Sequence, residues 1–510
     1  MLAKVYSFGI NGLDAYPVTI EIDVARGLPA TIIVGLPDSA IRESKERVRS
    51  AIKNSGYKFG PKRITINLSP ADVKKEGPSF DLAIALGILA ATGQVDSTHL
   101  NKFAFLGELS LDGHIQPVSG TLSAALAVTK TRFKGLILPS ANAPEAAVSQ
   151  HTCVYPVKTL NGIVRFLNDT STLEPFKLDP SLIFQKAISH DIDFSDVKGQ
   201  THVKRGLEIA AAGSHNVLLI GPPGSGKSML AKRLPTILPD MNLEESLETT
   251  KIHSVMGLLG NTQGIVSRRP FRSPHHTTSD VAVVGGGSIP KPGEVTLSHN
   301  GILFLDELPE FNRNVLESLR QPLEDYCVTI SRAIRTVRFP SKFMLVCAMN
   351  PCPCGFFTDA KKECHCTPTQ IQRYMSKISG PLLDRIDLHL EVPAVSSTDL
   401  LNNVKAENSH DIKERIIRAQ SQQQQRLIDA PITANSHMNH RQIKKFCALN
   451  DEGKKLLKDA IEELGLSARA YDKILKVART IADLAEEEQI LPEFLAEAIQ
   501  YRCLDRSWWS

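Results

Sequence analysis

The sequence lacks any apolar run long enough to cross a bilayer. Leu82 to Thr92, among the longest of these runs, has about half of the ~20 residues that a membrane-spanning helix needs. The chain also begins without the apolar core of a secretory signal peptide, since polar residues interrupt its opening stretch. We therefore expect a cytoplasmic protein with no membrane partner.

An excess of one charge is also missing. The 510 residues include 59 Lys and Arg against 55 Asp and Glu, a net charge of only +4. Overall charge therefore identifies no partner, and any contact with nucleic acid must come from local clusters of Arg and Lys. With 42% hydrophobic and 22% charged residues, the composition argues against disorder and provides apolar material for roughly two to four domains.

Periodicity divides the chain into three regions and a linker. Residues 1–168 alternate short β-rich runs with helical patterns, which predicts an α/β domain. Residues 169–190 are predicted to be a linker, residues 191–395 a second α/β domain, and residues 396–510 a helical domain. The glutamine run Gln422 to Gln425 is predicted to be a solvated helix face. The predicted fold class is therefore α/β multidomain with a C-terminal helical lid.

The strongest motif is a phosphate-binding loop in the second region. An apolar strand leads into a GxxxxGK[ST] sequence, which consists of Gly221, Pro222, Pro223, Gly224, Ser225, Gly226, Lys227 and Ser228. Glycines in such a loop let backbone N–H groups close around phosphate oxygens at a helix N-terminus. Lys227 adds a charge for the β- and γ-phosphates, and the Ser228 hydroxyl can bind Mg²⁺. The motif predicts ATP and Mg²⁺ as cofactors.

Two further apolar strands supply residues for hydrolysis. Gly301 to Leu305 leads into Asp306 and Glu307, one carboxylate to hold Mg²⁺ and one to polarise the attacking water. Phe343 to Met349 ends at Asn350, whose amide can orient that water beside Glu307. This order and spacing are typical of ASCE-type ATPases, so we predict ATP hydrolysis.

Two arginines are candidates for catalysis at a subunit interface. Arg385 lies at a predicted helix end before a strand, which resembles the arginine finger of AAA+ ATPases. Its alternative role is a structural salt bridge with Asp384 or Asp387. Arg469 resembles a sensor 2 arginine, and its action on its own or a neighbour's nucleotide stays open. A finger supplied to a neighbouring subunit implies assembly, because the catalytic site is then completed at an interface.

Four of the nine cysteines lie in one short segment. Cys352, Cys354, Cys364 and Cys366 form a CxC–x9–CxC pattern, four thiols that can enclose one tetrahedral ion. A disulfide framework is disfavoured in a reducing compartment. Zn²⁺ is the favoured metal, an iron–sulfur cluster is the alternative, and His365 can replace one thiolate. We therefore predict a metal-binding, cysteine-rich loop at residues 351–367.

Basic residues close to these motifs are candidate DNA contacts. Arg332 and Arg335 lie between two strand-like runs before Asn350, where related ATPases insert a hairpin that points into the pore of the ring. Lys361 and Lys362 make the cysteine-rich loop a candidate DNA-facing finger. For each residue alone, ordinary surface charge is the alternative. Phosphate contacts of this kind position DNA without selecting a sequence.

Longer stretches narrow the resemblance to one family. The segments 269–277, 293–307 and 380–387 resemble the magnesium chelatase ATPase subunit, and both ends of the chain are similar to the YifB/ComM family of magnesium-chelatase-like proteins. The resemblance covers nearly the whole chain. It implies a homohexameric AAA+ helicase that acts on single-stranded and branched DNA and drives branch migration during recombination in natural transformation, with recombination proteins among its partners.

The alternative within the same class is a magnesium-chelatase-type motor that acts on a tetrapyrrole-metalating enzyme. The CxC pair and the N-terminal domain count against it, because neither is ordinary in such motors. An ATP-dependent protease is a third hypothesis, and it depends on the N-terminal domain.

The N-terminal region has a resemblance of its own. Three segments follow the order of the Lon protease domain, a fold related to ribosomal protein S5 domain 2: residues 75–86, 107–118 and 136–139. Ser79 falls on the position of the Lon nucleophile, but the lysine that Lon needs to deprotonate it is missing from residues 119–126. We therefore predict an inactive, protease-derived domain in which Ser79 caps the helix that begins at Phe80.

Overall fold

The computed structural model describes residues 2–169, 173–178, 191–260, 264–287, 290–331, 336–357, 359, 362–394, 407–430, 432–464 and 467–502. Its strands are β1 (Leu2–Asn11), β2 (Asp14–Ala25), β3 (Ala30–Val34), β4 (Arg63–Ser69), β5 (Phe103–Phe105), β6 (Glu108–Leu109), β7 (Ile115–Gln116), β8 (Gly135–Pro139), β9 (Val154–Val157), β10 (Val217–Ile220), β11 (Phe271–Arg272), β12 (Gly285–Gly286), β13 (Lys291–Pro292), β14 (Ile302–Leu305), β15 (Cys327–Ser331), β16 (Thr336–Pro340), β17 (Met344–Met349) and β18 (Leu388–Glu391). Its helices are α1 (Ser39–Asn54), α2 (Asp81–Ala91), α3 (Thr121–Val128), α4 (Ala143–Ala147), α5 (Leu160–Asn168), α6 (Thr201–Gly213), α7 (Lys227–Ile237), α8 (Leu243–Val255), α9 (Asp280–Val284), α10 (Glu294–Leu297), α11 (Arg313–Ser318), α12 (Arg320–Asp325), α13 (Pro368–Met375), α14 (Gly380–Leu383), α15 (Ser409–Arg426), α16 (His440–Phe446), α17 (Asp451–Leu464), α18 (Ala468–Leu484) and α19 (Pro492–Gln500).

These elements form two units. The N-terminal unit comprises Met1–Ile188 and Asn242–Ser267, and the ATPase unit comprises Ser189–Met241 and Arg268–Ser510. The segment Asn242–Ser267, which carries α8, therefore packs with the N-terminal unit, although the sequence analysis placed it inside the second α/β domain. Among the described residues, no helix has both the length and the apolar character that a membrane crossing requires.

A seven-stranded mixed sheet forms the centre of the N-terminal unit, in the order β3-β4-β2-β1-β5-β8-β9. β1 and β2 pair antiparallel along their length, whereas β5, β8 and β9 run parallel. α2 is buried at every residue. The apolar run that is too short for a bilayer is therefore a core helix, since a helix that is hydrophobic all round must be covered on every side.

The predicted capping role of Ser79 is wrong. Ser79 lies inside a 3-10 turn, Pro78–Phe80, and α2 begins one residue later, with no side-chain hydrogen bond at its described N-cap, Phe80. The charged group in the first turn is Asp81, whose carboxylate pairs with Arg47 at 2.9 Å. Burial raises the pKa of Asp81 to about 6, although the Arg47 guanidinium opposes the shift.

A five-stranded parallel sheet forms the centre of the ATPase unit, in the order β11-β14-β17-β10-β18. β10, β14 and β17 are buried at every residue. Their continuous apolar sequences follow from this position, because both faces of a parallel sheet are covered. Since the carboxyl ends of parallel strands meet at one edge, the residues that follow β10, β14 and β17 come together there.

The C-terminal helices predicted from the sequence are present and share one hydrophobic core with the sheet. The glutamine run lies on α15, as predicted, but it is not wholly solvated. Gln423 is fully buried. Its side-chain amide donates to the Ala212 backbone oxygen at 3.1 Å and its oxygen accepts from the Asn435 backbone N–H at 3.0 Å. This glutamine thus ties α15 to α6 and to the turn after α15.

Candidate nucleotide site and metal centre

The phosphate-binding loop connects β10 to α7 and depends on its glycines. Gly224 and Gly226 have φ angles of +78° and +90°, which residues with a Cβ rarely adopt. A Cβ on Gly221 would lie 2.1 Å from the Val392 backbone oxygen. A Cβ on Gly224 would meet none of the described atoms within 4 Å. The loop is therefore tightly packed on its inner side and open on the side where a phosphate fits.

The Lys227 amine lies across the mouth of this loop. Its Nζ donates to the backbone oxygens of Gly221 at 2.7 Å and Pro222 at 2.9 Å, and to Asn350 Oδ1 at 3.1 Å. Burial lowers the pKa of Lys227, and the charge of Asp306 opposes this shift. All three acceptors are neutral, so phosphate oxygens, which form stronger charge-assisted bonds, can take their place.

The end of β14 meets the start of α7. Ser228 Oγ donates to Asp306 Oδ2 at 2.6 Å. A hydroxyl and a carboxylate are oxygen ligands of the kind that Mg²⁺ prefers, and Mg²⁺ is usually held by one or two carboxylates together with substrate phosphates. The residues present therefore fit a Mg²⁺ ion bound with nucleotide. The structure brings Lys227, Ser228, Asp306 and Asn350 to one edge of the sheet.

Glu307 contacts a residue that the sequence analysis did not single out. Its Oε2 lies 3.1 Å from Nδ1 of His276. His276 follows β11, which lies on the opposite side of β14 from β17. Its ring packs beside those of His275, at 4.1 Å between centroids, and Phe311, at 6.4 Å. Asp306 thus faces the phosphate loop, while Glu307 is held on the β11 side.

A cavity of about 640 Å³ opens beside the phosphate loop. This volume lies within the ~300–1,000 Å³ typical of small-molecule sites. His202, which lines the cavity, stacks on Tyr501 with 5.3 Å between ring centroids. The other lining residues are partly apolar, such as Val203, Pro222 and Val392, and partly polar, such as Gln200, Glu391 and Gln500. The position beside the phosphate loop, with apolar and hydrogen-bonding groups together, suits the base of a nucleotide.

The four predicted cysteine ligands come together. Their Sγ atoms all lie within 4.8 Å of one another, with Cys352 at 3.3 Å from Cys354 and 3.7 Å from Cys364. A tetrahedron of ~2.3 Å Zn–S bonds has S···S edges of roughly 3.8 Å. Among the described residues, the group that can hold an ion consists of these thiols without His365. The donor set therefore fits one tetrahedral metal ion.

Purified protein is expected to contain about one Zn²⁺ per chain, since structural zinc sites of four thiolates are closed and bind tightly. Cys364→Ser should lower the metal content, because three ligands remain, and should weaken DNA binding if the loop faces DNA. Elemental analysis after purification in reductant measures the metal. Cys153→Ser, which changes an exposed cysteine of the N-terminal unit, is the matched control. Wild-type protein without metal would contradict the prediction, and iron in place of zinc would identify the alternative cluster.

Arg385 and Arg469 lie together, away from the phosphate loop. Both line a cavity of about 350 Å³ that also includes Asn216. The Asn216 side chain donates to the Arg385 backbone oxygen at 3.0 Å. Asn216 directly precedes β10 and Arg385 precedes β18, whereas the phosphate loop follows β10. The two arginines therefore lie at the amino-terminal edge of the parallel sheet, opposite the edge that carries Lys227.

The salt bridges in this cavity differ from the predicted alternative. Arg385 is half-buried and pairs with Glu324, not with Asp384 or Asp387. Asp384 lies 3.8 Å from the exposed Arg469. Asp387 pairs with a half-buried lysine of α18, Lys473, at 2.8 Å. Burial favours the neutral acid, but Lys473 and His215 hold the pKa of Asp387 below its ordinary value.

The hairpin predicted before the Asn350 strand is present. β15 and β16 pair antiparallel, and their last described pair is Ser331 opposite Thr336. Arg332 and Arg335 fall between these two residues, and they lie outside the described part of the chain, as does Lys361. Lys362 is described, and its amine lies 4.8 Å from the centre of the Phe356 ring.

Comparison with known proteins finds magnesium chelatase families over most of the chain. The family described as magnesium chelatase, subunit ChlI, matches residues 193–400, the related subunit ChlI of Mg-chelatase matches 20–142, and the ChlI C-terminal family matches 406–502. Competence protein ComM of Haemophilus influenzae is 45% identical over 99% of this chain and 98% of its own. YifB of Salmonella typhimurium is 43% identical over 99% and 98%. DNA replication licensing factor mcm6 of Dictyostelium discoideum is 23% identical over 61% of this chain and 32% of its own.

Proposed function

We propose that the chain, which belongs to the YifB/ComM family of magnesium-chelatase-like proteins, is an ATP-driven hexameric DNA motor. In this proposal the motor promotes branch migration during recombination in natural transformation. Membership of the family implies an AAA+ ATPase that uses ATP and Mg²⁺. The name of the competence protein ComM supports a role in transformation, and that of the licensing factor mcm6 supports DNA as the substrate.

The residues at the carboxyl edge of the sheet have separate tasks in this proposal. Lys227 and the loop amides bind the β- and γ-phosphates, while Ser228 and Asp306 hold Mg²⁺, which neutralises phosphate charge when it is bound. Glu307 polarises the attacking water, and Asn350 orients it. The side-chain amide of Asn350 accepts a hydrogen bond from the Lys227 amine at 3.1 Å. In this proposal the same amide also lies near the attacking water.

The observation that carries the proposal is the separation of the arginines from their own phosphate loop. The four residues of β10 span roughly 13 Å between the two edges of the sheet. Arg385 and Arg469 share a cavity at the far edge, which supports a role for both at the nucleotide of a neighbouring subunit. We therefore assign Arg469, like Arg385, to the neighbour's site, and we expect ATP to promote ring assembly.

We extend the proposal to the N-terminal unit, which we infer to be a Lon-related fold without protease activity. Where the Lon pattern places its catalytic lysine, α3 carries Thr121, Leu122, Ser123, Ala124 and Ala125, all buried. A buried segment of small and apolar side chains offers no amine to deprotonate Ser79. The unit is left with a structural or coupling role in the motor.

Replacing Arg332 and Arg335 with alanine should spare ATP hydrolysis in the absence of DNA but weaken DNA binding. Both DNA affinity and its dependence on salt should fall, because each lost phosphate contact releases fewer counterions. Branch migration of a labelled three-strand substrate is the readout. Lys454→Ala with Lys458→Ala, two exposed lysines of α17, is the matched control. A hairpin variant that migrates branches at the wild-type rate would show that the motor grips DNA elsewhere.

The same ATPase assay separates the DNA motor from the chelatase-type alternative. A DNA motor is expected to change its hydrolysis rate when single-stranded DNA is added, since the substrate then engages the ring. The hydrolysis rate of a motor for tetrapyrrole metalation should not change when single-stranded DNA is added, because DNA is not its substrate. Equal rates with and without single-stranded DNA would favour the alternative.

A further inference from the structure

The cysteine-rich loop packs directly on the phosphate loop. Gly355 lies between the first pair of cysteines and the rest of the loop, with a φ angle of +85°. A Cβ at this position would lie 2.5 Å from Cδ and 2.7 Å from Cγ of the Pro223 ring, and 3.8 Å from Cγ of Asn350. The backbone of Gly355 therefore fills the space between a residue of the phosphate loop and the amide that contacts Lys227.

The turn that carries two of the thiols makes this contact. Cys352 is fully buried and follows Asn350 by two residues. The Gly355 N–H donates to the Cys352 backbone oxygen at 3.0 Å, which closes a tight turn around Cys354. Further along the loop, Asp359 lines the same cavity as Gly221 and Pro222. The cysteine-rich loop thus contributes a residue to the lining of this cavity.

We propose that the four-cysteine centre is a positioning element of the nucleotide site. An ion bound by thiols from both ends of the loop fixes the turn at residues 352–355, and this turn holds Pro223 and Asn350 in place. The physical reason is that metal binding supplies free energy that orders the chain around it. Without the ion, this free energy no longer offsets the conformational entropy that is lost when the loop is ordered. Nucleotide affinity therefore depends on metal occupancy.

The inference rests on the proposed ATPase function and differs from the expectation that the loop is a DNA-facing finger. Because the cysteine-rich loop packs on the phosphate loop, its metal should affect nucleotide binding even when no DNA is present. The two roles separate experimentally, because nucleotide affinity is measured without DNA.

Gly355→Ala is the first test. The new Cβ overlaps the Pro223 ring, so this variant should keep its metal but bind a fluorescent ATP analogue roughly tenfold more weakly. The matched control is Gly56→Ala in the N-terminal unit, where φ is +89° and a Cβ would meet none of the described atoms within 4 Å. The control carries the same backbone strain without the contact, and its nucleotide affinity and metal content should equal those of wild type.

Removal of the metal is the second test. Wild-type full-length protein is treated with a chelator in reductant, and its affinity for the ATP analogue is measured before treatment, after it and after Zn²⁺ is restored. Affinity should fall by a similar factor and then recover. Equal affinity in the loaded and stripped protein, or wild-type affinity in Gly355→Ala, would overturn the inference while leaving the ATPase proposal intact. If the loaded wild-type protein binds no ATP analogue, the proposed function itself fails.

Discussion

Lys227→Ala is expected to abolish nucleotide binding or hydrolysis, whereas Glu307→Gln should bind ATP and trap it. The Lys227 amine bridges the phosphate loop and Asn350, so its loss removes the charge that phosphate oxygens need. Glu307→Gln leaves that cradle intact and removes only the carboxylate that polarises water. Loss of a general base lowers turnover by roughly 10²–10⁴-fold. Steady-state phosphate release and binding of a fluorescent ATP analogue measure the two effects separately.

Lys232→Ala is the matched control for the first variant. Lys232 is an exposed lysine of the same helix, α7, and its replacement changes the charge of the helix without touching the phosphate loop. It should hydrolyse ATP at the wild-type rate. Normal turnover by Lys227→Ala or by Glu307→Gln would remove the central claim that these residues form an ATPase site.

The strands that position the site could be predicted because their signals are local. β10, β14 and β17 are continuous apolar runs that lead into candidate site residues, and β14 and β17 each lie within one residue of their predicted bounds. A parallel strand that is buried on both faces does not alternate apolar and polar residues, so its continuous apolar run identifies it. The glycine pattern of the phosphate loop is equally local, because its φ angles are a property of single residues.

Local signals gave the wrong answer at Ser79 and an incomplete one at Gln423. A serine before a helix predicts an N-cap only when the helix begins immediately after it, and the 3-10 turn Pro78–Phe80 delays that start. Gln423 belongs to a polar run, yet its amide satisfies the backbone groups of Ala212 and Asn435. Ala212 is 211 residues away and Asn435 lies 12 residues on, beyond the end of the helix, so composition alone does not reveal these partners.

The placement of Asn242–Ser267 in the N-terminal unit also depends on distant partners. The Ser254 hydroxyl binds the buried carboxylate of Glu145, and Lys251 pairs with Asp14 at 2.6 Å. Nothing in the periodicity of α8 distinguishes a helix that packs on its sequence neighbours from one that packs elsewhere. The sequence therefore predicted that this segment belongs to the second α/β domain, which surrounds it in the chain.

The contacts of the proposed catalytic residues are likewise not visible in the local sequence. The motifs placed Lys227, Asp306 and Asn350 by spacing, but the contact of Glu307 with His276 requires the order of strands in the sheet. His276 lies within one of the stretches that resemble magnesium chelatase, but the resemblance gave it no role. The pairing of Arg385 with Glu324 was likewise outside any local rule, since 61 residues separate the two.

Arg385→Ala should leave ATP binding unchanged and cut hydrolysis by ~10³–10⁵-fold, the range for arginine fingers. Arg385 lies at the far edge of the sheet from its own Lys227, so its removal does not disturb the phosphate cradle of its own subunit. Its pairing with Glu324 on the same subunit offers a structural alternative, which predicts a lower melting temperature in place of a selective loss of turnover. Thermal unfolding measured beside hydrolysis and nucleotide affinity distinguishes the two.

Mixing inactive variants tests whether the arginine acts on a neighbour. When Arg385→Ala subunits assemble with Lys227→Ala subunits, some interfaces place an intact Lys227 opposite an intact Arg385. Hydrolysis by the mixture should then exceed the sum of the separate variants, because those interfaces contain a complete site. Lys227→Ala mixed with Glu307→Gln is the control, since both residues serve the nucleotide of their own subunit and no mixed interface restores a complete site. Recovery in neither mixture would place Arg385 outside its neighbour's catalytic site, whereas recovery confined to the first requires a ring in which each subunit completes the next.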